Sequence, residues 1–410
     1  MSERQPPGDS RPAVSRRAFL SGVAGVGGAL AAGSLGDRAA EAPAATGGMR
    51  YRTLGRTGLK VSEIGLGGAG LADSDVVLYA LDRGINYIDT SHCYRGGGSE
   101  SAIGEALRGR RDRFVVTTKW CPHHIGRPFR KRVFLDMLDE SLRRLQTDHV
   151  DVLLNHEVGR NSDGRGIERL KDPEMLAAWD AAKKAGKARF LGVSGHDGDL
   201  MQVMDYAIGA GPFDVLLGRY SFLDYPEQQA LIERAAAKQV GFIAMKTLAG
   251  AKGADLDRFR DRQTTFKQAA LKWVLSNQRL SNLVISISSR RQVDEYAAAS
   301  GQPLTAADNG VLAEYAALFS TEVCRFCNAC ESACPGDVRI ADVLRFSMYH
   351  HEYGEPELAG ESYARLLEAE RAEHCAACVG HCASACAYDL PVQTLLLRAH
   401  RALAPGGRLS

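Results

Sequence analysis

The sequence predicts an α/β protein, a (β/α)8 barrel followed by a small, mainly helical, cysteine-rich domain. Three observations carry that prediction. Short β-rich runs alternate with amphipathic helical stretches eight times between about residue 50 and residue 300. No turn-around signal splits the series into two halves, as a doubly wound sheet would need. Beyond residue 320 the pattern changes, and eight cysteines fall in two tight runs. The expected divisions are 1–48, 49–302 and 303–410, which fits a chain long enough for one large and one small domain.

The strands are read from "VSEIGLGG" (61), "INYIDT" (85), "FVVTTKW" (114), "DVLLNH" (151), "ARFLGVSG" (188), "DVLLGRYS" (214), "GFIAMKT" (241) and "NLVISIS" (282). Helical periods lie between them. Phe134, Leu138, Leu142 and Leu145 make one apolar face, and Phe266, Ala270, Trp273 and Val274 another. "DPEMLAAW" starts a helix with Asp172 as its cap and Pro173 at the first helical position. "TAADNGVLAEYAALF" is a further helix leading into the cysteine-rich tail.

Composition narrows the function. A hydrophobic content of 45% is that of a soluble globular chain, and a net charge of +2 gives no reason to expect a nucleic-acid partner. "RGRRDR" and "RPFRKR" read as solvated helix ends. After position 40 no apolar run reaches the eighteen or so residues that a membrane helix needs.

The N-terminus is a different regime. "SRRAFL" sets Arg16 and Arg17 before a mildly apolar Gly/Ala stretch from Phe19 to Leu35, and Ala42 and Ala44 form an A-x-A-like end. This resembles a twin-arginine signal, so export to the periplasm or beyond is expected, with a cytoplasmic protein as the alternative. No cysteine precedes Cys93, which argues against a lipoprotein anchor.

"GLGGAG" (65–70) is a literal G-x-G-x-x-G after a strand. The dinucleotide fingerprint wants its last glycine inside the helix. Here "LADSD" intervenes, and Asp73 or Ser74 caps a helix that begins later.

Catalytic groups of a barrel stand where its strands end. Asp89 ends the second strand, Tyr94 follows in its loop, Lys119 ends the third and His156 the fourth. Here the chain resembles the aldo-keto reductase family. "GINYIDTSHCYRGGGSE" is similar to that family's signature, and "FVVTTKW", "SLRRLQTDHVDVLLNHE" and "LGVSGHD" follow in its order. "RYRTLGRTGLKVSEIGLGG" resembles its N-terminal hairpin and first strand.

The resemblance implies reduction of a small carbonyl substrate by hydride from NADP or NAD. Tyr94 would donate the proton, and the Lys119 cation would lower the phenol's pKa. Asp89 would hold Lys119, His156 would orient the carbonyl, and Ser194 would bind the nicotinamide carboxamide. The chain departs from the family where Leu217 stands for a glutamine, Met245 and Lys246 for a tyrosine, and Tyr296 for an asparagine. Lys246, Arg290, Arg291 and Glu295 remain as cofactor-binding candidates.

In the tail, Cys324, Cys327, Cys330 and Cys334 follow C-x2-C-x2-C-x3-C-P. Cys375, Cys378, Cys382 and Cys386 are spaced C-x2-C-x3-C-x3-C. Three thiolates within seven residues and a fourth close by is the bacterial ferredoxin pattern for [4Fe-4S] clusters, with zinc and disulfides as the alternatives. The tail resembles a ferredoxin-like module with two clusters, in which the fourth cysteine of each run serves the other cluster. Cys93 lies outside this pattern, as a loop residue near the active site, and Cys121 reads as strand-end packing.

Clusters move single electrons, whereas carbonyl reduction needs none, so the tail is either structural or an electron port for a redox partner protein. An electron-carrier or docking protein with a catalytically silent barrel stays open as the other function.

Overall fold

A computed structural model describes residues 48–404 apart from 122–128, 160–164, 197–198, 224–225, 252–255, 257–258, 260–263 and 354. The paired arginines and the signal-like segment lie outside the described residues.

The chain opens with an antiparallel hairpin, β1 (Tyr51–Thr53) and β2 (Lys60–Ser62). Eight parallel strands then close into a barrel: β3 (Ile64–Gly67), β4 (Tyr87–Asp89), β5 (Val115–Trp120), β6 (Val150–Asn155), β7 (Ala188–Ser194), β8 (Phe213–Arg219), β9 (Gly241–Met245) and β10 (Asn282–Ser286). β10 pairs with β3 to complete the ring, so the dinucleotide-fold alternative does not arise. "VSEIGLGG", read as one strand, is divided between hairpin and barrel, because Ser62 turns its hydroxyl onto the Ile64 carbonyl at 2.7 Å.

The outer helices are α1 (Ser74–Asp82), α2 (Gly98–Leu107), α3 (Lys131–Leu145), α4 (Pro173–Lys184), α5 (Leu200–Gly209), α6 (Pro226–Ala237), α7 (Phe266–Ser276) and α8 (Arg290–Ala297). Their starts follow ordinary capping chemistry. The Asp73 carboxylate accepts from the Asp75 amide, and Asp172 accepts from Glu174 and Met175 with Pro173 in the first turn. α3 buries Phe134, Leu138, Leu142 and Leu145 as its spacing predicts, whereas on α7 Trp273 is only half-buried.

Two apolar layers result. Helices and the outer faces of the strands share one core, and the barrel interior holds another, with Tyr87, Val115, Val152, Val215, Ile243 and Val284. The hairpin plugs the bottom of the barrel by adding Leu54 and Val61 to that interior. The bottom thus serves stability, and the strand C-termini are left free for chemistry.

Helix α9 (Ala306–Phe319) begins with a Thr305–Asp308 capping box and packs on the barrel through Tyr315, whose ring lies 4.4 Å from that of Phe266. The described residues beyond it include α10 (Ile340–His351), α11 (Pro356–Ala364) and α12 (Val392–Leu403), with short 3-10 turns and a single helical turn at His381–Ser384 between them. Their small core includes Ile340, Val343, Tyr363, Leu395 and Leu396, together with Cys330, Cys375 and Cys382. Among the described residues no helix is long and apolar enough to cross a membrane.

Candidate active site

The residues at the strand ends converge. The Lys119 ammonium donates to Asp89 Oδ1 and to the Thr90 carbonyl, both at 2.6 Å, and to the Tyr94 hydroxyl at 3.4 Å. It also lies 4.6 Å from the centre of the Tyr94 ring. The His156 ring meets Tyr94 edge-on with 5.8 Å between centroids. Adjacent strands bring this about: β4 ends at Asp89, β5 carries Lys119, and β6 runs into His156.

Burial governs the titration of these groups. It raises Asp89 and lowers Lys119, and each supplies the charge that opposes the other's shift. We take the pair as ionised, since the contact is short and both ends are buried. For Tyr94 the structure corrects the sequence expectation. Burial, followed by the negative fields of Asp89, Glu157 and Tyr349, pushes its pKa well above the usual 10.0 rather than down. Lys119 sits closer to Asp89, at 2.6 Å, than to the phenol, at 3.4 Å.

Two further residues of the reductase-like signature are structural supports. Glu100 is fully buried and accepts from Thr118 Oγ1 at 2.6 Å and from Arg144 Nε at 2.7 Å. Arg144 in turn reaches His92 Nδ1 at 2.7 Å, and both line the cavity.

That cavity, about 1070 Å³, extends above the strand ends. Asp89, Tyr94, Lys119, His156, Ser194, Leu217, Met245 and Lys246 line it from the barrel. α10 and α11 form its roof with Arg345, Phe346, Tyr349, Tyr353 and Arg365, among others. Sequence reasoning missed the roof entirely, since nothing in the tail's spacing says where it folds. It also passed over His196, though that residue stands inside the quoted "LGVSGHD". Burial and the nearby Lys246 and Arg345 charges hold His196 well below the usual histidine pKa, so it lines the cavity as a neutral ring.

The remaining cofactor candidates divide. Ser194 Oγ accepts from the Glu157 amide at 3.3 Å and faces the cavity. Lys246 lies under three roof rings, 4.9 Å from Tyr349 and 5.7 Å from both Phe326 and Tyr353. Arg290 and Arg291 are exposed at the start of α8, outside the cavity lining, with Arg290 paired to Asp75 at 3.7 Å. Glu295 binds Lys267 at 3.3 Å, and Tyr296 is buried beneath α8.

The eight tail cysteines are free thiols. Their mutual fields define two groups. Cys324 and Cys330 feel Cys327 and Cys386, whereas Cys375 and Cys382 feel Cys378 and Cys334. Each run therefore lends its last cysteine to the other group. Burial leads in raising these thiols, Cys324 and Cys375 to about 12. The loop between Cys324 and Cys330 curls through Phe326 and Asn328, both at positive φ, and the Phe326 amide donates to Cys324 Sγ at 3.3 Å. Arg219, at the end of β8, donates to the Arg325 carbonyl and stacks on Phe326, which ties this loop to the barrel.

Comparison with known proteins agrees with this geometry. Residues 63–259 match the aldo/keto reductase family model. L-galactose dehydrogenase of Arabidopsis thaliana is 30% identical over 288 residues, which span 61% of this chain and 88% of that one. The chain belongs to the aldo/keto reductase family. It is an oxidoreductase of that type, with a barrel to match. An aldo/keto reductase from Klebsiella pneumoniae, solved in complex with NADPH, is 25% identical with a TM-score of 0.52, covering 65% of this chain and 94% of its own. One from Bacillus halodurans, at 23% identity and a TM-score of 0.53, shares the fold and covers 65% of this chain and 96% of its own. The family match ends before the cysteine-rich domain begins.

Removing the Lys119 charge leaves Asp89 buried without its cation. Lys119→Met is expected to destabilise the protein at pH 7 by about 3–5 kcal/mol in urea unfolding, and adding Asp89→Asn should recover most of that loss.

Proposed function

We propose that the chain reduces a small carbonyl compound to an alcohol with NADP(H) or NAD(H), inside a chamber that its cysteine-rich domain roofs. The single observation behind this reading is the contact of Lys119 with Asp89, Tyr94 and the Thr90 carbonyl in one cluster. A nicotinamide, when bound, would supply hydride for the carbonyl carbon, and the neighbour solved with NADPH supports that choice. Ser194 and Lys246, both in the cavity lining, would hold the nicotinamide end.

The chain's own residues handle the proton and the substrate. The raised pKa keeps the Tyr94 phenol protonated at neutral pH, so it can donate to the carbonyl oxygen. As the proton leaves, the Lys119 ammonium stabilises the phenolate that forms. Asp89 keeps Lys119 charged and aimed, and His156 orients the carbonyl. Acid and base side chains are paired around the walls, as in Asp342–Arg345, Glu361–Arg365 and Arg339–Glu370. Paired walls and aromatic faces suit an uncharged, hydroxylated substrate, and the plant relative is named for such a compound, L-galactose.

Tyr94→Phe is expected to abolish carbonyl reduction while nicotinamide binding persists, and wild-type turnover in that variant would refute the mechanism. The pH profile separates Lys119 from Tyr94. Burial sets Lys119 below the ordinary 10.5, so it loses its charge before the tyrosine loses its proton. The turnover of the wild type should therefore fall on the alkaline side with an apparent pKa under 10.5.

We infer further that the two cysteine groups hold [4Fe-4S] clusters, which supply one-electron chemistry when bound. Among the described residues no three of these thiols lie within 4.8 Å of one another. Four thiolates on one zinc at about 2.3 Å each would sit closer than that. Main-chain N–H donors to Cys324 and Cys378 sulfurs fit cluster ligation as well. Iron analysis is expected to give about eight irons per chain. Cys334→Ser should damage the cluster of the Cys375 run, and loss of the Cys324-run cluster alone would contradict the crossed wiring.

Export by the twin-arginine route completes the reading, because a cluster-loaded chain must leave folded. N-terminal sequencing of the mature protein is expected to find a start beyond Ala42, and an intact Met1 in every fraction would overturn it.

A further inference from the structure

We propose that Cys93 and Cys121 form a reversible thiol–disulfide pair that sets the hydrogen bonding of His156, and with it the rate of carbonyl reduction. This rests on the reductase reading above. Neither cysteine belongs to the tail groups. Cys93 directly precedes Tyr94 in the loop after β4, and Cys121 directly follows β5. Their Cα atoms are 6.5 Å apart, within bridging range, and a disulfide joins them.

The pair meets the face of His156 that carries Nδ1. Cys121 Sγ is 3.1 Å from Nδ1 and Cys93 Sγ 3.6 Å. Ser91 Oγ lies 3.0 Å from Cys121, 3.2 Å from Cys93 and 3.4 Å from Nδ1. In the reduced pair, the Cys121 thiol can donate its proton to Nδ1. A neutral imidazole carries one N–H, so that bond places it on Nε2, where it can donate to a carbonyl oxygen. In the disulfide neither sulfur carries a proton, and sulfur is left as a weak acceptor. Nδ1 then holds the proton, and Nε2 offers a lone pair to the carbonyl oxygen instead. The Ser91 hydroxyl, 3.4 Å from Nδ1 against 3.1 Å for Cys121 Sγ, works against this change. The switch therefore alters the rate rather than abolishing it.

Access to the pair is one-sided. Cys93 is partly exposed and lines the cavity, whereas Cys121 is fully buried. A dithiol reductant would enter through the cavity and attack Cys93 Sγ as the thiolate, breaking the S–S bond and expelling Cys121 as a thiolate beside the imidazole. Its second thiol then resolves the mixed disulfide. The products are two cysteine thiols and one oxidised, cyclic disulfide of the reductant, a two-electron and two-proton exchange.

The test uses full-length, cluster-loaded protein, kept anaerobic and equilibrated in mixtures of reduced and oxidised dithiothreitol. Alkylation with mass spectrometry reads the state of Cys93 and Cys121, visible absorbance confirms constant clusters, and turnover is measured with NADPH. The expected result is a rise in kcat of about tenfold that tracks reduction of the pair, the size expected for one hydrogen bond, with KM for NADPH unchanged. Cys93→Ser and Cys121→Ser should each lose the dependence on poise. His156→Gln should also lose it while its cysteines still interconvert, which a merely structural disulfide would not do. A flat kcat across a pair that interconverts overturns the switch alone, as does a pair that never reduces or a full response in His156→Gln. Absence of carbonyl reduction at every poise overturns the reductase reading and the switch with it.

Discussion

A lysine with no exposed side-chain surface must find a fixed negative partner, and in this barrel Asp89 provides it at 2.6 Å. An unpaired ammonium in that place would cost several kcal/mol, so the contact constrains everything around it. It requires β4 and β5 to be neighbours in the observed register, with Asp89 opposite Thr117. It fixes the Lys119 nitrogen beneath the Tyr94 ring, and it charges the floor of the cavity. Burial leads in raising the Tyr94 pKa, and the carboxylate that anchors the lysine adds to it by repelling a phenolate.

The second constraint comes from above. Lys246 and Arg219 stand at the ends of β9 and β8, where a barrel enzyme normally meets solvent. Here they are stacked against Phe326, Tyr349 and Tyr353. Phe326 lies between Cys324 and Cys327, so the first cysteine loop is itself part of the docking surface. Cys330, Cys375 and Cys382 help fill the small core of this domain, so the same thiols proposed as ligands also pack its interior. Whatever electrons the domain carries, its helices close the chamber where chemistry takes place.

The barrel was legible because each of its units repeats one signal, a β-rich run followed by a capped, amphipathic helix. Asp172 with Pro173 and the buried face of α3 came directly from such local patterns. Asp89, Tyr94, Lys119 and His156 were legible as strand-end polar residues. The direction of the Tyr94 shift was not, since it depends on how deeply the ring is buried and on Glu157 and Tyr349, neither of which the spacing announces. Cys93 and Cys121 are 28 residues apart and carry no shared motif, so only the pairing of β4 with β5 shows that they meet. Arg290 and Arg291 lie at the start of α8 outside the cavity lining, where Arg290 meets Asp75 and Tyr79.

In the proposed reaction hydride transfer is the work of the barrel, and the cysteine-rich domain builds its roof. Anaerobic mixing of the loaded protein with NADPH and a carbonyl substrate tests this most directly, with product and cluster absorbance followed together. One alcohol formed per NADPH consumed, with cluster absorbance unchanged during turnover, is the predicted result. Bleaching of the clusters by NADPH with no alcohol formed would contradict it and make the chain an electron carrier.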